Sequence, residues 1–400
     1  MSIESEYIEE RKRQAENLSN TFKQMHRLYP IKPNKIVFST FEGDGGFCCN
    51  PRYIAEALHR REGDYEMVWL THNVKREFPD YIKVIEDTQE NAAYHLATAK
   101  VWIDNYRKPF GTRKREGQYY IQTWHASMGF KAVGLYRGKA FPEIARLVSE
   151  WDSGLADYVI SNSDYCDKIY PKKLLYNGPT LRTGSPRVDC LINCKDELHS
   201  KIRTNYGIPQ DAKLLLFAPT FRGGNQKGKK QVIADVPGID FGRLIDCLER
   251  KFGGQWKALL RLHPQLSAQL SKMPLNEKDE RLIDVSQAPD ISEIMGGCDM
   301  VITDYSSCAF DACYAGIPVL LYADDIEEYI KNRGQFMWKW EELPFDMAET
   351  NDELMYNIEH FHYELYKKRV HDFILRNGVS ENGDASIKVA KKIEAYIYGK

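Results

Sequence analysis

The chain has 400 residues, 43% of them hydrophobic, and a formal net charge of -2. That length suits two domains better than one, and the near-neutral charge argues against a nucleic-acid partner, because phosphate binding leaves a basic surplus. The nine cysteines are scattered: Cys48 and Cys49 are adjacent, and Cys190 and Cys194 have no second matching pair, so they spell out no zinc framework.

Residues 1–30 read as a polar helix with Leu18, Phe22, Met25 and Leu28 at helical spacing, ended by Pro30 and Pro33. Residues 1–13 are charged and lack the apolar core of a signal peptide, and no apolar run is long enough to span a bilayer. A reduced, cytosolic setting is therefore expected. Short apolar runs then alternate with helical stretches. Runs at 36–39, 67–70, 101–104, 119–122 and 158–161 read as strands, and a helix is expected from Pro51 with Asn50 as its cap. Residues 186–210 carry no strong strand and are taken as the interdomain connection. The series restarts with runs at 214–217, 258–261, 282–284, 300–303 and 319–322, and residues 388–398 read as a final helix. Strands alternating with helices predict parallel sheets covered on both faces. The basic, Gly-rich stretch 222–230 reads as a loop.

In open parallel sheets, ligands bind beyond the carboxyl ends of the strands. Polar residues directly after apolar runs are therefore the candidates. His125 and His263 each follow such a run, one in each half, and two facing sheets would bring both to one cleft; each also has a purely structural reading as a hydrogen-bonded loop histidine. Asp304-Tyr305-Ser306-Ser307 ends a strand just before a helix, where two hydroxyls and open N–H groups suit a diphosphate; the alternative is that the serines only cap that helix. Asp290 and Glu293 have capping-box spacing, with Asp290 either a cap or a cleft residue. Thr220 and Arg222 follow the first strand of the second half, and Arg222 is either a phosphate fork or a surface arginine. The acidic run with Asp324 and Asp325 suits ribose hydroxyls, a metal or a solvated helix start, the last being preferred.

Taken together, Asn50-Pro51-Arg52-Tyr53, Gln122-Thr123-Trp124-His125, Lys131, Ala218-Pro219-Thr220-Phe221-Arg222, Arg261-Leu262-His263-Pro264, Pro289-Asp290-Ile291 and Thr303-Asp304-Tyr305-Ser306-Ser307 with Asp311 resemble the CDP-glycerol:glycerophosphotransferase family of teichoic-acid and related polyol-phosphate biosynthesis. The resemblance runs from about residue 36 to residue 396. It implies an α/β, GT-B-like fold: two Rossmann-like domains facing a central cleft, with a short N-terminal helix and a C-terminal helix. The expected division is a helical segment at 1–30, an acceptor domain at 31–195 and a CDP-donor domain at 196–400. His125 would be the general base on the acceptor hydroxyl, with His263 also catalytic. Arg222, His263, Thr220, Ser306, Ser307, Asp304 and Asp290 would hold the donor, and Asn50 and Lys131 would lie on the acceptor side. Many members have Gly-Thr after the histidine where this chain has Ala126-Ser127, which bears on the acceptor type.

The resemblance further implies CDP-glycerol as donor and a lipid-linked glycan or polyol-phosphate acceptor. It implies no cofactor, no obligatory metal, no nucleic acid, and a peripheral position on the inner face of the cell membrane. The amphipathic start of the chain, Trp338 and Trp340 could meet the membrane surface, although amphipathic helices of this kind more often pack on the protein's own core. The chain lacks the extra regions of many family polymerases, so a compact transferase acting on one defined acceptor is expected. CDP-ribitol as donor, a UDP-sugar glycosyltransferase or epimerase of the same fold, and a non-catalytic scaffold of an envelope-polymer complex are the rival readings.

Overall fold

A computed structural model describes residues 3–220, 238–262 and 279–399. The chain forms two compact units. The first comprises Met1–Ser127, Ala132–Asp189 and Gly378–Lys400, and the second Met128–Lys131 and Cys190–Asn377.

The first unit carries a seven-stranded sheet in the order β3-β2-β1-β4-β5-β6-β7. Its strands are β1 (Lys35–Ser39), β2 (Glu66–Thr71), β3 (Lys83–Glu86), β4 (Val101–Asp104), β5 (Tyr119–Gln122), β6 (Tyr158–Ser161) and β7 (Thr180–Arg182). Every pairing is parallel. Both faces are buried, so alternate residues of one strand serve opposite cores. Ile36 and Phe38 join Trp69, Ile103, Ile121 and Ile160 beneath Ile54 and Leu58 of α2 (Cys49–His59). Val37 joins Val68, Leu70, Trp102 and Tyr120 on the other face, under Phe22 of α1 (Ile3–Leu28) and Leu96 of α3 (Gln89–Thr98).

Three expectations are corrected here. The N-terminal helix is part of the first unit, because its apolar stripe, with Leu18 and Met25 beside the buried Phe22, packs on that sheet. Asn50 is not a cap: α2 starts two residues earlier than expected, at Cys49 after Cys48, and has no side-chain cap. The C-terminal segment belongs to the first unit as well, not to the second. Val389 and Ile393 of the last helix (Ala385–Tyr398) complete the core under α2, and Glu394 accepts from Tyr65 Oη at 2.8 Å and pairs with Arg61 at 2.6 Å.

The second unit has a six-stranded sheet in the order β10-β9-β8-β11-β12-β13, again wholly parallel. Its strands are β8 (Lys213–Phe217), β9 (Trp256–Leu260), β10 (Leu282–Asp284), β11 (Met300–Thr303), β12 (Val319–Tyr322) and β13 (Asp346–Ala348). The chain passes between units at Asp189 and Cys190, inside a helix over Pro186–Asn193 that is followed by another over Lys195–Asn205. Trp338 and Trp340 pack on rings of this unit: Trp338 lies 5.5 Å from Phe373 and Trp340 lies 5.2 Å from Phe336. No helix among the described residues is long and apolar enough to cross a membrane.

Two buried bases in the first unit make its stability depend on pH. Lys35 is fully buried with its ammonium 2.7 Å from Thr98 Oγ1. His95 of α3 is 6% exposed, and its Nδ1 has no hydrogen-bonding partner among the described residues. Burial, then the charges of Lys35 and Lys83, push the His95 imidazole down to about 4. A base with a depressed folded-state pKa stabilises the fold above its unfolded value of about 6.5 and loses that contribution as pH falls towards the folded value. Unfolding stability should therefore drop between pH 6.5 and about 4, by an amount on the order of 2 kcal/mol from this residue. Urea titrations across that range should show a smaller drop in His95→Leu.

Candidate active site

In each sheet the strand order reverses once, between β1 and β4 in the first unit and between β8 and β11 in the second. The carboxyl ends flanking such a reversal form the natural ligand crevice of this architecture. Thr220 and the segment 304–307 follow the strands at the reversal in the second unit, and His125 follows β5, the neighbour of β4, in the first.

In the first unit the backbone is strained at that place. Phe41 (φ 48) and Glu42 (φ 56) follow β1, Cys49 (φ 57) opens α2 and Trp124 (φ 50) follows β5, all non-glycine residues in the left-handed region. Such conformations cost about 1–3 kcal/mol each and persist where the surroundings enforce them, often at functional sites. Here the enforcing contacts are visible. Phe41 N–H donates to Asn105 Oδ1 at 2.8 Å. Thr123 N–H donates to the Asp104 carbonyl at 2.7 Å, and Trp124 N–H donates to Gln122 Oε1 at 2.8 Å.

His125 comes next in the chain. Its Nδ1 lies 2.9 Å from the Asn105 carbonyl oxygen. A carbonyl can only accept, so Nδ1 carries the proton and Nε2 is left with the basic lone pair. The ring stacks on Trp124 at 4.6 Å and on Tyr106 at 5.7 Å, with Phe41 tilted against it at 5.6 Å. The loop is also held from behind. Asn50 Nδ2 donates to the Trp124 carbonyl at 2.9 Å, and Asn50 Oδ1 accepts from Arg187 N–H at 3.0 Å. The Arg187 guanidinium donates to the His125 carbonyl. Lys173 Nζ reaches the carbonyls of Ala126 and Ser127 at 3.0 and 2.8 Å, and burial pushes its ammonium down to about 8. Asn50, expected on the acceptor side, thus braces the histidine loop through backbone contacts.

Carboxylates border the same edge. Asp104 is buried with Lys108 at 2.6 Å, and burial pushes its carboxyl up against the pull of that lysine. Burial, followed by the neighbouring Asp104 and Asp44, also raises the Glu42 carboxyl. Asn105, Gln122, Lys173, Arg187 and Glu42 had not been singled out for roles. The available signal was position alone, since Asn105 directly follows the apolar run at 101–104.

Lys131 lies elsewhere than expected. It belongs to the second unit, where it forms an antiparallel bridge with Phe336 and sits 5.9 Å from the Tyr329 ring.

In the second unit β9, β8 and β11 are neighbours, so the segments after them share one sheet edge. Asp304 ties two of these segments together: its carboxylate accepts the Thr220 N–H at 2.8 and 2.9 Å and the Tyr305 N–H at 2.5 Å. Thr303 Oγ1 adds a bond to the Ala218 carbonyl at 2.7 Å. Ser306 and Ser307 follow. Ser307 makes no side-chain cap on the helix over Cys308–Tyr314, and Ser306 Oγ meets the Cys308 N–H only at 3.5 Å. Capping therefore does not occupy the Ser307 hydroxyl. Gly316 closes this helix at φ 73, a conformation that favours glycine.

Asp290 caps the helix over Ile291–Gly296 through the Ser292 N–H at 2.8 Å. Glu293, the partner in the expected box, pairs with Lys201 at 2.8 Å. Arg261 binds the Ala288 carbonyl at 2.6 Å and so holds the turn leading to Asp290. In the acidic run, Asp324 accepts the Gly238 N–H at 2.7 Å and Asp325 accepts from Tyr305 Oη at 2.9 Å. Among the described residues no group of three or more His, Cys, Asp or Glu side chains is arranged to hold a metal. Arg222 and His263 lie outside the described residues.

Comparison with known proteins bears on what these edges serve. Residues 21–395 match the family model for CDP-glycerol:poly(glycerophosphate) glycerophosphotransferase. A teichoic acid poly(glycerol phosphate) polymerase of Staphylococcus epidermidis is 30% identical over 374 residues, covering 89% of this chain and 50% of that protein. A teichoic acid poly(ribitol-phosphate) polymerase of Bacillus spizizenii is 28% identical over 357 residues, covering 87% and 54%. The chain thus spans about half the length of either relative. A solved structure of the wall teichoic acid polymerase TagF superposes with a TM-score of 0.81 at 26% identity, covering 96% of this chain and 94% of that one. The two Rossmann-like units are of the GT-B type.

The double role of Asp304 can be tested. Asp304→Ala leaves one buried and one half-buried N–H group without their acceptor, at a cost of about 2 kcal/mol. Urea unfolding should show that loss, whereas a surface carboxylate such as Asp352, 85% exposed at its side chain, should show almost none when replaced.

Proposed function

The chain belongs to the CDP-glycerol:poly(glycerophosphate) glycerophosphotransferase family, and on that premise we propose that it moves glycerol phosphate from CDP-glycerol to a hydroxyl of a lipid-linked, teichoic-acid-type acceptor, releasing CMP. The observation that carries this reading is the tautomer of His125, whose Nδ1 is tied to the Asn105 carbonyl so that Nε2 is the proton acceptor. In the proposed reaction Nε2 takes the proton of the acceptor hydroxyl as its oxygen attacks the β-phosphorus of the donor. The bond from that phosphorus to the bridging oxygen breaks. The polymer gains one phosphodiester-linked glycerol, and CMP leaves with the electron pair.

Negative charge grows on the CMP leaving group, and hydrogen-bond donors around it lower the barrier. Thr220, Ser306 and Ser307, together with Arg222 and His263, are proposed to supply them. Asp304 and Asp290 are proposed to shape the donor site through the segments they hold. These donors are proposed to make a resident divalent ion unnecessary. The acceptor class would bring the protein to a membrane surface. CDP-ribitol is the second reading, favoured by the similarity to a poly(ribitol-phosphate) polymerase.

CMP release from CDP-glycerol and from CDP-ribitol, with a polyol-phosphate acceptor supplied, tests the proposal. Turnover of CDP-glycerol is expected, with a fall of roughly a hundredfold or more in His125→Ala, and with the wild-type rate retained in EDTA. Turnover of CDP-ribitol alone would reassign the donor. Release of UDP or UMP from UDP-sugars, or an unchanged rate in His125→Ala, would overturn the mechanism, and the absence of any transfer would leave the scaffold reading.

A further inference from the structure

The two rings that stack on His125 are pinned by one side chain. Gln122, the last residue of β5, is 3% exposed. Its Oε1 accepts the N–H of Trp124 at 2.8 Å. Its Nε2 donates to the Tyr106 carbonyl at 2.8 Å and to Tyr120 Oη at 2.6 Å. Trp124 immediately precedes His125 and stacks on it, and Tyr106 stacks on both rings, 5.7 Å from His125 and 6.2 Å from Trp124. Tyr106 also directly follows Asn105, whose carbonyl holds His125 Nδ1.

The amide has only one workable orientation. The Trp124 N–H can only donate and the Tyr106 carbonyl can only accept, so oxygen must face the first and nitrogen the second. A second constraint agrees. Tyr120 Oη donates to Asp152 Oδ1 at 2.9 Å, so towards Gln122 that hydroxyl acts as acceptor. Asp152, 1% exposed, is itself fixed by the Lys108 N–H at 2.8 Å and faces Arg107 at 3.7 Å. Arg107 lies over the Trp124 ring at 5.2 Å. The result is a directed chain from Gln122 through Tyr120 to a buried carboxylate. A glutamate would set a second carboxylate against Asp152 and the Tyr106 carbonyl. A methionine would fill the space without either bond.

We infer that Gln122 is a positioning residue for His125: oriented by Tyr120 and Asp152, its amide fixes the peptides at Trp124 and Tyr106 so that the imidazole keeps its Nδ1 proton on Asn105 and presents Nε2. The inference rests on the reading of His125 as the base.

The test compares Gln122→Glu and Gln122→Met with the wild type by CMP release from CDP-glycerol and by nitrogen-15 NMR of the His125 ring, its signals assigned by their absence in His125→Ala. In both variants kcat should fall about tenfold or more, as misplaced reacting groups do, while KM for CDP-glycerol stays within about twofold. The His125 signals should move from a single Nδ1-protonated tautomer towards a mixture. Adding Asp152→Asn to Gln122→Glu offers the new carboxylate a neutral donor and should restore part of the rate. If Gln122→Glu does not fold, Gln122→Met is read in its place. A folded variant with an unchanged His125 tautomer and a rate within about twofold of wild type would overturn the inference. If the wild type releases no CMP from either CDP-polyol, the assigned reaction fails, and the His125 signals alone still decide the role of Gln122.

Discussion

The hydrogen bond between His125 Nδ1 and the Asn105 carbonyl is the constraint around which the first unit is arranged. It assigns the two ring nitrogens different work, one bound to the scaffold and one basic. Keeping it requires the ends of β4 and β5 to hold fixed relative positions. The sheet provides that directly, since β4 and β5 are paired and Thr123 bonds to the Asp104 carbonyl twice, through its N–H and its hydroxyl. It also requires unfavourable backbone at Trp124, which Gln122 and Asn50 hold from either side of the peptide. A rigid pair of strands thus bears the strain of a short loop, the arrangement that gives a catalytic group a fixed direction.

The second unit solves a related problem with a charge. Asp304 sits at the end of the strand next to β8 and collects N–H groups from both segments. A carboxylate accepts several hydrogen bonds at once, so one side chain sets the spacing between the turn after β8 and the serines after β11. Its burial means this acidic residue, close to hydroxyls suited to a phosphate, spends its charge on backbone donors.

Much of this was legible in the sequence where the physics is local. The interior strands appear as apolar runs because both of their faces are buried; the run at 101–104 coincides with β4 residue for residue. The edge strands β3, β7 and β13 escaped notice because they are short and half-exposed, so Lys83-Val84-Ile85-Glu86 shows no continuous apolar run. His125 and the Ser306-Ser307 pair were visible as polar residues after strands. The residues that orient His125 were not. Asn105 and Arg187 act on backbone atoms more than sixty residues away, and such targets leave no spacing to read, while Gln122 bonds the backbone of Trp124 two residues on and of Tyr106 in the preceding loop. The left-handed turn at Trp124 carries no glycine to announce it. The capping-box spacing at Asp290 was visible, but not the pairing of Glu293 with Lys201. The place of the final helix depends on a tertiary contact with α2 that its amphipathic pattern cannot specify.

That final helix also orders events during synthesis. Residues 190–377 are synthesised before Val389 and Ile393 exist, so the second unit has its whole sequence in hand while the first still lacks part of its core. Until then Ile54 and Leu58 have an apolar face without its cover. Translation runs from one end to the other, but the half made first is the half that finishes last, and its exposed face is a surface for chaperones to shield in the interval.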